Sequence, residues 1–359
     1  MRGKQENIAL IKELSQAPGV SGFENEVLLH IRRQADGLGE WSEDSMRNLY
    51  LRRFDREESQ PRLMIDAHSD EVGFMVRAIR PNGTLDFIPL GGWLATNAAA
   101  QRVLVRNNKG NWLPGIIASK TSHQLSETER KPAPEITDLV IDMGASSERE
   151  IREDFQISMA APVVPDVPFE YREDHDIMIG KAFDNRLGCA AIISTFRELA
   201  GVELSVNIIG AFTAQEEVGL RGATVSAQTI EPDIAIAFEG TPADDTTTEP
   251  HAIQTALKKG PMLRHIDTRM ITNPRFQRFA LDTACENGIP VQEAVRTGGA
   301  TDAGVIHLSG KSVPVIVIGI PVRYIHTHHG IAAYPDYENA VRLACAVIRG
   351  LSEKVIAGF

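Results

Sequence analysis

The chain predicts an α/β protein: a mostly parallel sheet covered by helices, with a small β-barrel-like unit inserted near its start. Three observations carry this. After residue 178, apolar strand-like runs alternate with helical patterns, the rhythm of parallel strands joined by helical crossovers. Between residues 73 and 163 that rhythm gives way to short alternating runs broken by turn residues such as Asn107, Asn108 and Gly110, as in a small all-β unit. Finally, successive predicted strands end on histidines and carboxylates, and the carboxyl edge of a parallel sheet is where α/β proteins place their chemistry. The expected organisation is residues 1–72 and 164–359 as the two parts of one α/β domain, and residues 73–163 as the insertion.

The elements follow in order. Residues 7–16 pattern as an amphipathic helix. Ser21-Gly22-Phe23-Glu24 has capping-box spacing and predicts a helix to about residue 35. Residues 48–54 alternate like a strand, and residues 63–67 read as a buried one. The insert opens with a strand over 72–79, turned by Pro81-Asn82-Gly83, and continues with runs at 85–89, 101–106 and 139–143. The polar stretch 122–134 reads as a loop. Beyond it come a helix at 184–200, a strand at 204–213, a short helix near 219–228 and strands at 233–239 and 261–266. A helix at 273–287, a strand at 290–296, a loop and helix at 298–309, a strand at 313–319 and a last helix over 337–357 complete the chain.

Composition excludes several partners. With 359 residues, 43% apolar and 24% charged, the chain has the make-up of a globular protein. A net charge of −11 and no basic cluster argue against nucleic acid and anionic membranes. No apolar run is long enough to cross a bilayer, and the first residues lack the apolar core of a signal peptide. Cys189, Cys285 and Cys345 are widely spaced and form no metal or redox motif. They read as reduced thiols, so a cytoplasmic protein is expected.

The chemistry-bearing residues sit at strand ends. The first supplies His68 and Asp70, and Asp184 precedes a helix. The next strand ends at Glu216-Glu217, another at Glu239, and the last leads to His326-Thr327-His328-His329. Imidazoles with carboxylates are the donor set of zinc, cobalt or manganese. Two histidines and three carboxylates suit a pair of ions sharing one carboxylate. Taken singly, each residue has a plainer reading: His68 as a core histidine, Asp184 or Asp302 as a helix N-cap, Glu239 as a solvated loop residue, the histidine run as an exposed turn. Their recurrence at successive strand ends favours the metal reading. Competing motifs fail: there is no His-Glu-x-x-His, no Gly-x-Ser-x-Gly, and Val305 occupies the position where a phosphate loop ending in Gly310-Lys311-Ser312 needs glycine.

At these segments the chain resembles the M42 metallo-aminopeptidases, which include glutamyl, leucyl and lysyl aminopeptidases and the tetrahedral (TET) peptidases. The resemblance runs nearly end to end. It rests on 66–74 (Asp-Ala-His-Ser-Asp-Glu-Val-Gly-Phe), 180–186 (Gly-Lys-Ala-Phe-Asp-Asn-Arg), 216–222 (Glu-Glu-Val-Gly-Leu-Arg-Gly), 299–304 (Gly-Ala-Thr-Asp-Ala-Gly) and 323–326 (Arg-Tyr-Ile-His). It implies a catalytic domain of co-catalytic metallo-exopeptidase type, a β-rich insertion that helps build dimers and, in many members, a hollow dodecamer. It also implies two divalent ions per subunit, zinc or cobalt or else manganese: one on His68 and Glu239, one on Glu217 and His326, with Asp184 bridging. Glu216 is implied as the general base acting on a water between the ions, and Asp70 as the carboxylate orienting His68. The expected substrates are short peptides with a free N-terminus. Two departures stand out: Glu239 where many members have Asp, and Thr327-His328-His329-Gly330 where many have Ser-Pro-Val-Glu. A metal-dependent deacylase on the same site is the alternative enzyme. Glycoside hydrolysis fits poorly, since it uses a carboxylate pair without metals. A non-catalytic scaffold is the remaining alternative, and the full set of metal-capable side chains argues against it.

Overall fold

The computed structural model describes residues 3–54, 57, 59–120, 123 and 134–359. Most of the polar stretch 122–134 therefore lies outside the described residues. In chain order the strands are β1 (Glu40–Glu43), β2 (Leu49–Arg52), β3 (Arg62–His68), β4 (Gly73–Ile79), β5 (Leu85–Leu90), β6 (Arg102–Arg106), β7 (Trp112–Ala118), β8 (Val140–Asp142) and β9 (Pro162–Pro165). They continue with β10 (Glu170–Arg172), β11 (Ile177–Gly180), β12 (Asn207–Thr213), β13 (Ile234–Pro242), β14 (Met262–Ile266), β15 (Gln292–Val295), β16 (Val315–Arg323) and β17 (Gly330–Ala333).

One mixed sheet runs β1-β2-β12-β3-β13-β16-β17-β11-β10, with β14 paired to β16 and β15 to β14. Its four central strands, β12, β3, β13 and β16, are mutually parallel. Antiparallel strands extend both edges. The central strands are buried on both faces, which is why they read as continuous apolar runs. Their side chains alternate between two cores. Leu63, Ile65, Ile316, Ile318 and Ile320 pack with the helices Lys4–Gln16, Asn25–Gln34, Phe183–Glu198, Pro274–Glu286 and Tyr334–Gly350. Met64, Ala235, Ala237, Val315 and Val317 face the helices Arg221–Ile230 and Ala303–Ile306.

The other six strands close into a barrel in the order β4-β5-β8-β7-β6-β9. Phe74, Val76, Phe87, Val103, Val105, Ile117, Ile141 and Val163 fill it. The barrel leaves the main sheet directly after β3, so its first strand begins five residues beyond His68.

Several expectations need correcting. The capping box does not form: Glu24 sits at the cap of the helix Asn25–Gln34 without a side-chain cap bond, because Ser21 and Glu24 have partners elsewhere. Strands β13 and β16 run three to four residues past their expected ends, because they pair with each other as far as Pro242 and Val322. Glu239 therefore lies inside a strand and not at its end. The last helix breaks at Leu351, whose backbone is extended, and Ser352 caps a further turn, Glu353–Ile356. The short antiparallel strands β1, β10 and β17 were not expected.

Candidate metal centre

The centre lies at the carboxyl edge of the four parallel strands. His68 is the last residue of β3, and Glu239 points from β13, the strand next to it in the sheet. Glu216 and Glu217 sit in the turn after β12, and His326 in the turn after β16. Asp184 comes from the start of the helix Phe183–Glu198. Its backbone is not helical there, and neither is that of Asn185. Asn185 takes the capping role instead, its Oδ1 accepting from Gly188 N at 3.1 Å. The peptide bond joining Asp184 to Asn185 is cis. Gly240 lies under this turn, where a Cβ would meet Asp184 Cα at 2.7 Å; a side chain there would displace the carboxylate. Asp302 is likewise not a side-chain cap. It accepts from Thr213 Oγ1 at 2.6 Å, behind the centre.

The two Asp184 oxygens face different imidazoles. Oδ1 is 3.0 Å from His68 Nε2, and Oδ2 is 3.3 Å from His326 Nε2. Glu239 Oε1 lies 3.4 Å from His68 Nε2, and Glu217 Oε2 lies 3.5 Å from His326 Nε2. Three metal-capable trios lie among the described residues: His68–Asp184–Glu239 and Asp184–Glu217–His326, which share Asp184, and His68–Glu216–Glu217. Glu216 Oε2 stands 3.9 Å from His68 Nε2. On its other side His68 presents Nδ1 to two acceptors of Asp70, the carbonyl oxygen at 3.2 Å and Oδ1 at 3.4 Å. That places the proton on Nδ1 and leaves Nε2 to face Asp184 and Glu239.

The titrations bear the mark of crowded, buried charge. Burial pushes the Glu217 and Glu239 carboxyls up to about 8, and the Asp184 charge adds to both shifts. Burial also raises Glu216 well above the usual range; His68 opposes this and Glu217, Asp302 and Glu239 reinforce it. Burial would lower both histidines. Glu216, Asp184, Asp70 and Glu239 nevertheless hold His68 well above its ordinary value, and Asp184 and Glu217 hold His326 at about 9. Asp184 is depressed against its burial by both imidazoles, and Asp70 against its burial by His68 and Ser21. Glu217 Oε1 and Glu239 Oε1 are buried with no hydrogen-bond partner among the described residues. Such acceptors are costly unless a cation meets them. The donor set, the orphaned oxygens and the carboxylate shared between two imidazoles all fit divalent metal.

His328 and His329 stay out of all three trios. His328 is buried edge-on against Trp93 of the inserted segment, ring centroids 5.2 Å apart, and burial lowers it to about 4. The contribution of that segment was not anticipated. The loop after β5 reaches the centre, where a Cβ on Gly91 would come within 3.1 Å of Glu217 Oε2 and one on Gly92 within 2.9 Å of His326 Nδ1. The only trace in the sequence is the Gly-Gly pair.

A sequence profile described as M42 glutamyl aminopeptidase matches residues 48–343. The chain belongs to the M42 family. It is 34% identical to the glutamyl aminopeptidase of Lactococcus lactis subsp. cremoris, over 97% of each chain. It matches the solved TET aminopeptidase of a marine sediment Thaumarchaeota archaeon at 37% identity and a TM-score of 0.94, over 99% of each chain. It matches the Pyrococcus horikoshii TET1 peptidase, which can assemble into a tetrahedron or a large octahedral shell, at 30% identity and a TM-score of 0.86, over 96% of this chain and 100% of that one. As an M42 protein it is a hydrolase of the aminopeptidase class, and its family uses divalent metal. No helix among the described residues is long and apolar enough to cross a membrane.

Proposed function

We propose that this M42 protein removes single residues from the free N-termini of short peptides, using two divalent ions held by five of the side chains above. The observation that carries the reading is the division of Asp184: one oxygen toward His68, the other toward His326. His68 and Glu239 would hold one ion, Glu217 and His326 the other, and Asp184 both. When bound, ions of the zinc, cobalt or manganese type supply Lewis acidity and lower the pKa of water. Asp70 keeps the His68 tautomer through Nδ1. Glu216 takes the proton of the attacking water on a carboxylate oxygen and returns it to the departing amine. Burial and its acidic neighbours give it the raised affinity for a proton that this double role needs. A free amine suits a centre so rich in carboxylate.

Glu216→Gln keeps the shape of the turn and removes the proton acceptor. The expected result is parental metal content with kcat lowered by about 10²–10⁴-fold. A fully active Glu216→Gln enzyme would refute the base assignment. A panel of aminoacyl anilides against N-acetylated counterparts separates the aminopeptidase from a deacylase, and activity confined to the acetylated set would overturn the substrate reading.

The proposal extends to organisation. Residues 73–163 form the inserted unit between the two parts of the catalytic domain, 1–72 and 164–359, and serve in self-association. The exposed barrel side chains Ile116 and Met159 support such an interface. The assembly ranges from a dimer to a dodecamer, as the TET relatives suggest. The three free cysteines, two of them buried, suit a reducing cytoplasm.

A further inference from the structure

The turn that carries Glu216 is held from outside the sheet. Three successive backbone amides donate to buried carboxylates. Gln215 N gives to Glu24 Oε1 at 3.2 Å, Glu216 N to Asp70 Oδ1 at 3.0 Å and Glu217 N to Asp70 Oδ2 at 3.2 Å. Gln215 has φ of 55°, a left-handed conformation that a non-glycine residue keeps only when its surroundings impose it.

Glu24 and Ser21 belong to the link between the first two helices. That link is docked against the end of β3. Glu71 N donates to Gly19 O at 3.0 Å, Gly19 N donates to Glu71 Oε1 at 3.0 Å, and Val20 bridges Glu71 in parallel. Ser21 Oγ donates to Asp70 Oδ2 at 2.6 Å, and Gly22 N donates to Glu24 Oε1 at 2.7 Å. Glu24 is only 1% exposed. A carboxylate buried so deeply is expensive, and this one does not cap its own helix. What it does instead is join two turns.

We infer that Glu24 is a positioning residue for the general base: its carboxylate fixes the Gln215 amide and so the direction in which Glu216 enters the site. This rests on the reading of Glu216 as that base. Asp70 holds the Glu216 and Glu217 amides, so altering Glu24 frees only the Gln215 end of the turn. Glu217 lies one residue further from that end than Glu216, and the loss should fall on proton transfer before it falls on metal. A displacement of about 1 Å at a reacting group can cost roughly 10²-fold.

The test compares Glu24→Asp, Glu24→Ala and Glu24→Gln with the parent, using a peptide substrate and metal analysis of each protein. Glu24→Asp withdraws the acceptor by one methylene while keeping the charge and creating little cavity. Its kcat should fall about 10–100-fold, with KM within about threefold of the parent and metal content unchanged. Glu24→Ala should lose at least as much. Glu24→Gln keeps a carbonyl oxygen for both amides and should recover most of that loss. Parental kcat in Glu24→Asp, loss of metal in that variant, or a Glu24→Gln enzyme as defective as Glu24→Ala would each overturn the inference. Glu216→Gln, assayed beside them, reports on the base itself. If it is dead while Glu24→Asp is unaffected, only the role of Glu24 falls.

Discussion

The two halves of the candidate metal centre are built differently. On the His68 side the donors come from the central sheet, from β3 and β13, which pair directly in parallel register. Their side chains are 2% and 6% exposed. On the other side, Glu217 and His326 come from turns beyond strand ends, and His326 is 38% exposed with φ of 57°. A loop of the inserted segment leans on both of them. The first half is specified by strand pairing and the second by loops and a distant segment. On the proposed assignment, one bridging carboxylate joins a half fixed by the core to a half fixed by an insertion.

The strongest challenge to that picture is at the bridge. Asp184→Ala should remove both ions and essentially all turnover, because the two trios built on Asp184 lose their shared donor. Metal analysis and a peptide assay measure this. If one equivalent of metal survives, the two halves are independent and Asp184 belongs to only one of them.

The same contrast explains what could be read in advance. His68, Asp184, Glu216, Glu217, Glu239 and His326 stood out because buried parallel strands are legible as apolar runs, and polar side chains at their ends are conspicuous. Strand ends were less legible, since β13 and β16 extend each other by pairing that neither segment announces. The capping-box spacing at 21–24 matched a local rule, but Asp70 and Gln215, far away in sequence, claimed both side chains. The approach of Gly91 and Gly92 to the centre is a contact across more than a hundred residues, and periodicity carries no such information. Strands such as β17 and β10 are only four and three residues long, too short to carry a readable pattern, so tertiary pairing decides them.

A smaller effect tests the support beneath the sheet-built half. Lys181 Nζ donates to both oxygens of Glu71 at 2.6 Å, fully buried, and so ties the end of β3 to the segment leading into Asp184. Lys181→Met leaves a buried carboxylate short of its main partner, although Arg186 stands 3.5 Å away. The expected destabilisation is about 3–5 kcal/mol in denaturant unfolding. A cost below about 1 kcal/mol would mean that the strand end is held without this pair.

Removing the metal exposes both halves to pH. Glu217 and Glu239 ordinarily titrate at 4.5 and are pushed to about 8 in the fold. Between those values the folded state binds more protons than the unfolded chain, so stability falls as pH rises. His326, raised to about 9, acts with the same sign above 6.5. Chelator-treated protein should therefore lose Tm steadily from about pH 5 to 8.5, and the metal-loaded protein much less. Glu239→Gln and Glu217→Gln should each flatten the slope of the metal-free protein. Flattening by only one would show that the burden lies on that half.

The smallest expected effect is the most discriminating. Gly92 has an ordinary backbone conformation, so replacing it strains nothing locally, yet a Cβ there would sit 2.9 Å from His326 Nδ1. The imidazole must then give way, because the main chain beneath Gly92 belongs to the inserted segment and the ring is the freer partner. Gly92→Ala should weaken the ion on Glu217 and His326 by about tenfold, the low end of what altered support around a ligand costs. The ion on His68 and Glu239 should be unaffected, since the atoms a Cβ at Gly92 would meet belong to His326. Stepwise titration of the metal-free protein against a competing chelator resolves the two affinities, and Gly92→Val should deepen the same selective loss. Equal weakening of both ions would break the division into two halves, because it would mean that the insertion acts on the whole centre through Asp184 and not on His326 alone.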